Sequence, residues 1–212
     1  MWVLWHHSWI GLIFFVVFGT AGIAGEVLIS FWWKAFYNEP LWTYAVETEV
    51  HRYTSRLNFV FWGAGGLFYL DLLQLTGVPL NKFYHPFLWT FYSCFFLMLF
   101  GLLAVQKYFF KKASKVTFSN YLFFCSPFLL ALGLGCWWYG NEFLLIAMVF
   151  GLVVCFLEYL LGKLMQAVIS KKFWTYTYLS MDDGHFTPLS IALFSLAGFY
   201  FWAVAAVVYS FI

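Results

Sequence analysis

The chain has 212 residues, of which 64% are hydrophobic, 26% aromatic and only 9% charged, with a formal net charge of +2. A soluble domain carries about a quarter of its residues as charges and hides its apolar residues in one core, which leaves no place for long apolar stretches recurring along the whole chain. The basic residues are scattered among polar connections, so the clustered footprint of a nucleic-acid partner is missing, and the lipid bilayer is the implied surrounding.

About twenty apolar residues cross a hydrocarbon layer of about 30 Å. Six such stretches follow one another: Trp9 to Phe31, Leu57 to Val78, Pro86 to Gln106, Asn120 to Tyr139, Glu142 to Met165 and Leu189 to Phe211. The fourth contains Pro127, which a membrane helix tolerates, and meets the fifth across the tight Gly140-Asn141 connection. The expected fold class is all-α, a single polytopic membrane helix bundle of about six transmembrane helices.

If all six stretches cross, one side holds Lys34, Arg52, Arg56, Lys107, Lys111, Lys112, Lys115, Lys163, Lys171 and Lys172, and the other holds Lys82. The positive-inside rule then places the connections after helices 1, 3 and 5 in the cytoplasm and both termini outside. The basic residues follow the first apolar segment rather than precede it, so that segment reads as a span and not as a cleaved leader.

Cys94, Cys125, Cys136 and Cys155 all fall inside the expected spans with no CxxC pair, and read as small apolar packing residues. Trp2, Trp5, Trp137, Trp138 and Tyr139 stand near span ends, where aromatic rings form interfacial belts. An aromatic-lined groove for a lipid or pigment is the alternative use of so many rings.

An internal repeat carries the most information. Glu26 is followed sixteen residues later by Trp42 in Leu-Trp-Thr-Tyr, ending at Tyr44, and Glu158 sixteen residues later by Trp174 in Phe-Trp-Thr-Tyr, ending at Tyr176. Each unit then passes through a polar stretch with a histidine, His51 or His185, into another apolar span. Helices 1 and 2 (about 9–78) and helices 5 and 6 (about 142–212) are therefore expected to be parallel helix-loop-helix repeats about an axis along the membrane normal, with an intervening hairpin at about 86–139.

Gly19, Gly22, Glu26 and Ser30 share one helical face, as do Gly151, Cys155, Glu158 and Gly162. Small residues allow close helix approach, and a carboxylate there faces a partner or a cavity rather than lipid. Two readings stand: each glutamate braces its own loop, accepting hydrogen bonds from backbone or from Trp42 and Trp174, or the pair handles protons, a cation or a substrate. The second reading gathers Glu26, Glu158, His51, His185, Trp42, Trp174, Tyr44 and Tyr176 as candidate site residues. The stretches Phe31 to Tyr44 and Lys163 to Tyr178 are too apolar for free loops and are expected to be amphipathic or re-entrant segments at the cytoplasmic interface.

Glu158-Tyr-Leu-Leu-Gly162, the sixteen-residue step to Trp174-x-Tyr176, and Phe194-Ser-Leu in the last helix resemble the second repeat of the CmpB-like family, whose label reads type-IV ABC transporter. Gly25-Glu26, and Thr54-Ser55 followed eight residues later by Gly63, resemble its first repeat. The family's Trp-Asp-Tyr has Thr175 in place of Asp here, its Asn-Arg-Gly segment is not recognisable, and the central hairpin is extra. The resemblance implies a membrane fold and brings no catalytic residues with it.

No GxxxxGK[ST] phosphate loop, HExxH or GxSxG occurs, so an ATP-driven pump would need a separate ATPase subunit. Asp182-Asp183-Gly184-His185 is the remaining local candidate: its carboxylates and imidazole either bind a divalent metal near lipid phosphates, or form a turn before Thr187 as cap and Pro188. His51 and Arg52, with Glu47 and Glu49, form either a solvated loop or part of a cytoplasmic site with His185; His6 and His7 belong to the opposite side. Three functions remain open. They are a permease-like or transport-associated protein with a small-molecule or lipid substrate, a membrane-embedded enzyme acting on a lipid or isoprenoid, and an accessory subunit with a protein partner in the membrane. The sequence identifies no cofactor.

Overall fold

The structure, a computed structural model, describes residues 8–45, 48–49, 53–75, 85–209 and 211. Among them six helices follow in order: α1 Ser8–Phe36, α2 Asn58–Leu75, α3 His85–Phe109, α4 Phe118–Tyr139, α5 Glu142–Ile169 and α6 Leu189–Tyr209. Four of these, over Trp9–Phe36, Phe118–Trp138, Phe143–Ile169 and Leu189–Tyr209, are long and apolar enough to cross a membrane, which marks the chain as an integral membrane protein. α2 is shorter, at 18 residues, and carries Asp71.

The described residues are mostly helical, but among them four short strands join the helices: β1 Trp42–Tyr44, β2 Thr48–Glu49, β3 Thr54–Ser55 and β4 Trp174–Tyr176. β1 pairs antiparallel with β4 in the register Trp42 to Tyr176, Thr43 to Thr175 and Tyr44 to Trp174, and the pairing extends through Ala45 N–H to Phe173 O and Thr177 N–H to Leu41 O. The connections expected to be amphipathic or re-entrant are thus extended where they carry Trp-Thr-Tyr. Aromatic and β-branched residues suit a pleated ribbon, and the two copies satisfy each other's backbone polar groups, which lipid could not do.

α1 packs along α2 and α5 along α6, while α4 touches both α5 and α6. Close approach in the first pair follows from glycine: a Cβ on Gly66 would lie 2.2 Å from the Phe18 ring, and one on Gly22 2.1 Å from Trp62. α4 opens with a capping box in which the Thr117 N–H donates to Asn120 Oδ1 at 2.8 Å. It ends at Gly140, whose φ of 103° only glycine adopts readily, so that α5 can start immediately.

The aromatic residues divide between two buried clusters. One lies between the helix pairs around Phe18, Tyr69, Phe150 and Phe201; the other, around Trp32, Trp33, Tyr37, Phe124, Phe173 and Trp174, packs against the ribbon. Trp137 and Trp138 are exposed, as an interfacial belt requires, and Leu97, Phe100, Leu152 and Phe156 are exposed on α3 and α5 in positions suited to lipid. Trp2 and Trp5 lie outside the described residues. The connections after α1, α3 and α5 meet at one end of the bundle, since Ala113 N–H donates to Phe36 O at 2.9 Å and β1 binds β4.

Candidate functional site

Glu26 and Glu158 sit on helices α1 and α5, each about three turns from the end that leads into the ribbon. The Trp-Thr-Tyr strands turn back over these ends, and the tyrosine of each strand reaches the glutamate of its own unit. Tyr44 OH donates to Glu26 Oε1 at 2.9 Å. Tyr176 OH lies 2.7 and 2.9 Å from the two oxygens of Glu158. The tryptophans do not perform the bonding expected of them. Trp42 Nε1 donates to Tyr53 O at 3.2 Å, and the buried Trp174 indole N–H has no partner among the described residues. Alternation along a strand accounts for this: Trp and Tyr share a face two residues apart, and the longer reach of the phenol brings its hydroxyl to the carboxylate.

Beyond this common bond the two sites differ. Glu26 is buried and receives two further donor groups: Thr54 Oγ1 at 2.6 Å to Oε2, and Asn58 Nδ2 at 3.0 and 2.8 Å to the two oxygens. A carboxylate offers about four lone-pair sites, so its capacity is used within the protein. Glu158 is only half-buried, and Tyr176 is its one hydrogen-bond donor among the described residues. Both phenols lie in the ribbon, and burial above all, with the neighbouring carboxylates, holds Tyr44 and Tyr176 well above the usual tyrosine range.

Sequence reasoning missed Thr54 and Asn58 as partners of Glu26. The available signal was positional: Asn58 opens the second apolar stretch as a buried amide that needs a partner, and the helix pairing offers it Glu26.

A cavity of about 410 Å³ joins the two sites. Six of the expected residues line it, Glu26, Glu158, Trp42, Trp174, Tyr44 and Tyr176, and its remaining wall is largely aliphatic and aromatic. His185 is buried but does not line the cavity: its Nδ1 lies 2.8 Å from the Asp182 carbonyl, and its Nε2 has no partner among the described residues. His51 lies outside the described residues, as do Arg52 and Glu47, so the proposed pairing of histidines falls there too.

Asp182 and Asp183 sit in a short 3-10 turn, Asp182–Gly184, and each takes a lysine. Lys163 Nζ is 2.6 Å from Asp182, which also accepts from Tyr159 OH at 2.7 Å, and Lys172 Nζ is 2.5 Å from Asp183. These bonds hold both carboxyls below the usual aspartate range. Among the described residues no three His, Cys, Asp or Glu side chains gather to hold a metal ion. Thr187 accepts from Leu189 N–H at 3.4 Å and donates to Tyr178 O at 2.9 Å, in keeping with its expected capping role.

Helices of membrane-crossing length around an apolar cavity lined by two carboxylates define the class as a polytopic membrane protein with an internal cavity. No family model matches the chain, and no curated protein or solved structure matches it.

Proposed function

We propose that the chain is a permease-like or transport-associated membrane protein whose cavity takes an amphiphilic small molecule or lipid from the bilayer. The observation that carries this reading is the shared cavity, which places two carboxylates and two tyrosines at the polar end of an otherwise apolar space. Ligand sites of this kind are concave and mostly apolar, with a few polar groups that fix orientation. A dry, filled interface would instead have favoured an accessory subunit.

The same proposal includes a duplicated architecture of two parallel repeats with all six helices crossing. Its support is a constant offset: Gly19 and Gly151, Glu26 and Glu158, Trp42 and Trp174, Tyr44 and Tyr176, and Gly66 and Gly198 are each 132 positions apart. At this offset His185 corresponds to Tyr53 rather than to His51. Kinship with the CmpB-like family belongs to this proposal as well, because the bond of Tyr176 to Glu158 gives the fixed distance between the glutamate and the Trp-x-Tyr segment a physical reason. The lysine-rich connections, which meet at one end, are assigned to the cytoplasm and the termini to the other side.

Protein extracted in mild detergent is expected to retain a lipid-class molecule detectable by native mass spectrometry, and Ala197→Phe, which fills the cavity wall, to abolish it. Equal occupancy in the wild type and the filled variant would remove the basis for this reading.

A further inference from the structure

We propose that Glu158, and not Glu26, receives the polar end of the ligand, and that this end is a cationic amine on an apolar chain. This rests on the cavity reading above and names the chemistry of its occupant.

The argument comes from what the second unit lacks. The residues at 28 and 32 positions after Glu26 are Thr54 and Asn58, both of which bond to it. The residues at the same steps after Glu158 are Phe186 and Ser190. The first has no side-chain donor. The second is engaged elsewhere, since Ser190 Oγ donates to Thr187 O at 2.7 Å and lies 3.0 Å from Cys155 Sγ. One unit therefore closes its carboxylate inside a polar cage, while the other leaves both oxygens of Glu158 with a single shared hydroxyl.

A second polar group, on another residue of the cavity lining, is also incomplete. Trp174 is 5% exposed and lines the cavity, and its indole N–H has no partner among the described residues. An under-coordinated carboxylate in an apolar wall is costly until a charge or donor pairs with it. The nearest lysine in sequence, Lys163, has its Nζ on Asp182 and does not line the cavity. An ammonium group provides three donors and the missing positive charge. The apolar chain follows from the rest of the wall, where Leu193, Phe199 and Phe128 are typical.

The test uses dodecylamine and dodecanol, equal in chain length and differing in the head, titrated against the full chain in detergent with native mass spectrometry as the readout. The expected result is at least about tenfold tighter binding of the amine, as a charge-assisted hydrogen bond implies, with that preference lost in Glu158→Gln and retained in part by Glu158→Asp. Equal binding of amine and alcohol, both abolished by Ala197→Phe, would overturn the amine assignment and leave the cavity reading intact. A preference that survives in Glu158→Gln would overturn the role of Glu158. Binding of neither compound, or binding that Ala197→Phe does not reduce, would overturn the cavity reading itself. If Glu158→Gln does not fold, the wild-type preference and the Glu158→Asp titration still decide.

Discussion

Thr43 faces Thr175 at the centre of the β1–β4 ladder, with Tyr44 opposite Trp174 on one side and Trp42 opposite Tyr176 on the other. The ladder is a two-stranded bridge between the α1–α2 and α5–α6 connections. Directly opposed residues of an antiparallel pair have Cα atoms about 4.5–5.5 Å apart, within disulfide reach. Thr43→Cys with Thr175→Cys is therefore expected to cross-link on mild oxidation, seen as a disulfide-linked peptide pair by mass spectrometry. Moving one partner to Thr177, two positions along the strand, is expected to reduce the yield sharply; equal yields from both pairs would show that the register is wrong.

The ladder also marks where sequence reasoning succeeded and where it stopped. Six helices were legible as apolar stretches, four of them long and apolar enough to cross a membrane, and the structure extends α1 to Phe36 and α5 to Ile169 with the same character. The spacing of Glu26, Trp42 and Tyr44 and its repetition at Glu158 selected residues that do converge on one cavity. Strand pairing was not legible, because three-residue strands leave no periodicity and their partner lies far away in the chain. For the same reason the choice between Trp and Tyr as donor to the carboxylate needed the ribbon's geometry. The different fates of the two glutamates depend on Asn58 and Ser190, whose roles appear only once α2 and α6 are placed against their partners.

The two glutamates are expected to contribute unequally to stability. Glu26→Ala leaves Tyr44 OH and Thr54 OH without their acceptor and the Asn58 amide with Tyr44 OH alone, and a buried polar group left unsatisfied costs about 1–3 kcal/mol. Glu158→Ala strands Tyr176 alone. Thermal unfolding in detergent should therefore show a clearly larger drop for Glu26→Ala; an equal or smaller drop would contradict the closed cage around Glu26.

Two neighbouring glycines of α2 offer a paired test of the α1–α2 contact. A Cβ on Gly66 would lie 2.2 Å from the Phe18 ring, whereas one on Gly65 meets nothing within 4 Å. Overpacking of this kind costs about 1–3 kcal/mol, while Gly→Ala in an open helical position is favourable by about 0.4–1 kcal/mol. Gly66→Ala is expected to lower the melting temperature and Gly65→Ala to hold or raise it. The reverse order would mean that α1 and α2 do not pack in this register.

The ribbon tyrosines make stability sensitive to alkali. Tyr44 and Tyr176 are held above the usual phenol range by burial first, so folding favours their neutral forms. That contribution is fully present below the unfolded phenol value of about 10, and it is lost as pH rises from there toward the folded values. Spectrophotometric titration of the folded protein should show a first phenolate transition whose amplitude is unchanged in Tyr44→Phe and Tyr176→Phe, because neither phenol takes part in it. In denatured protein each substitution should remove its share of the 14 tyrosines. The double variant should also lose less stability than the wild type above about pH 10, measured as the shift in melting temperature. If either single variant reduces the first transition in the folded protein, that hydroxyl is reached by solvent and does not close over its carboxylate as the ribbon requires.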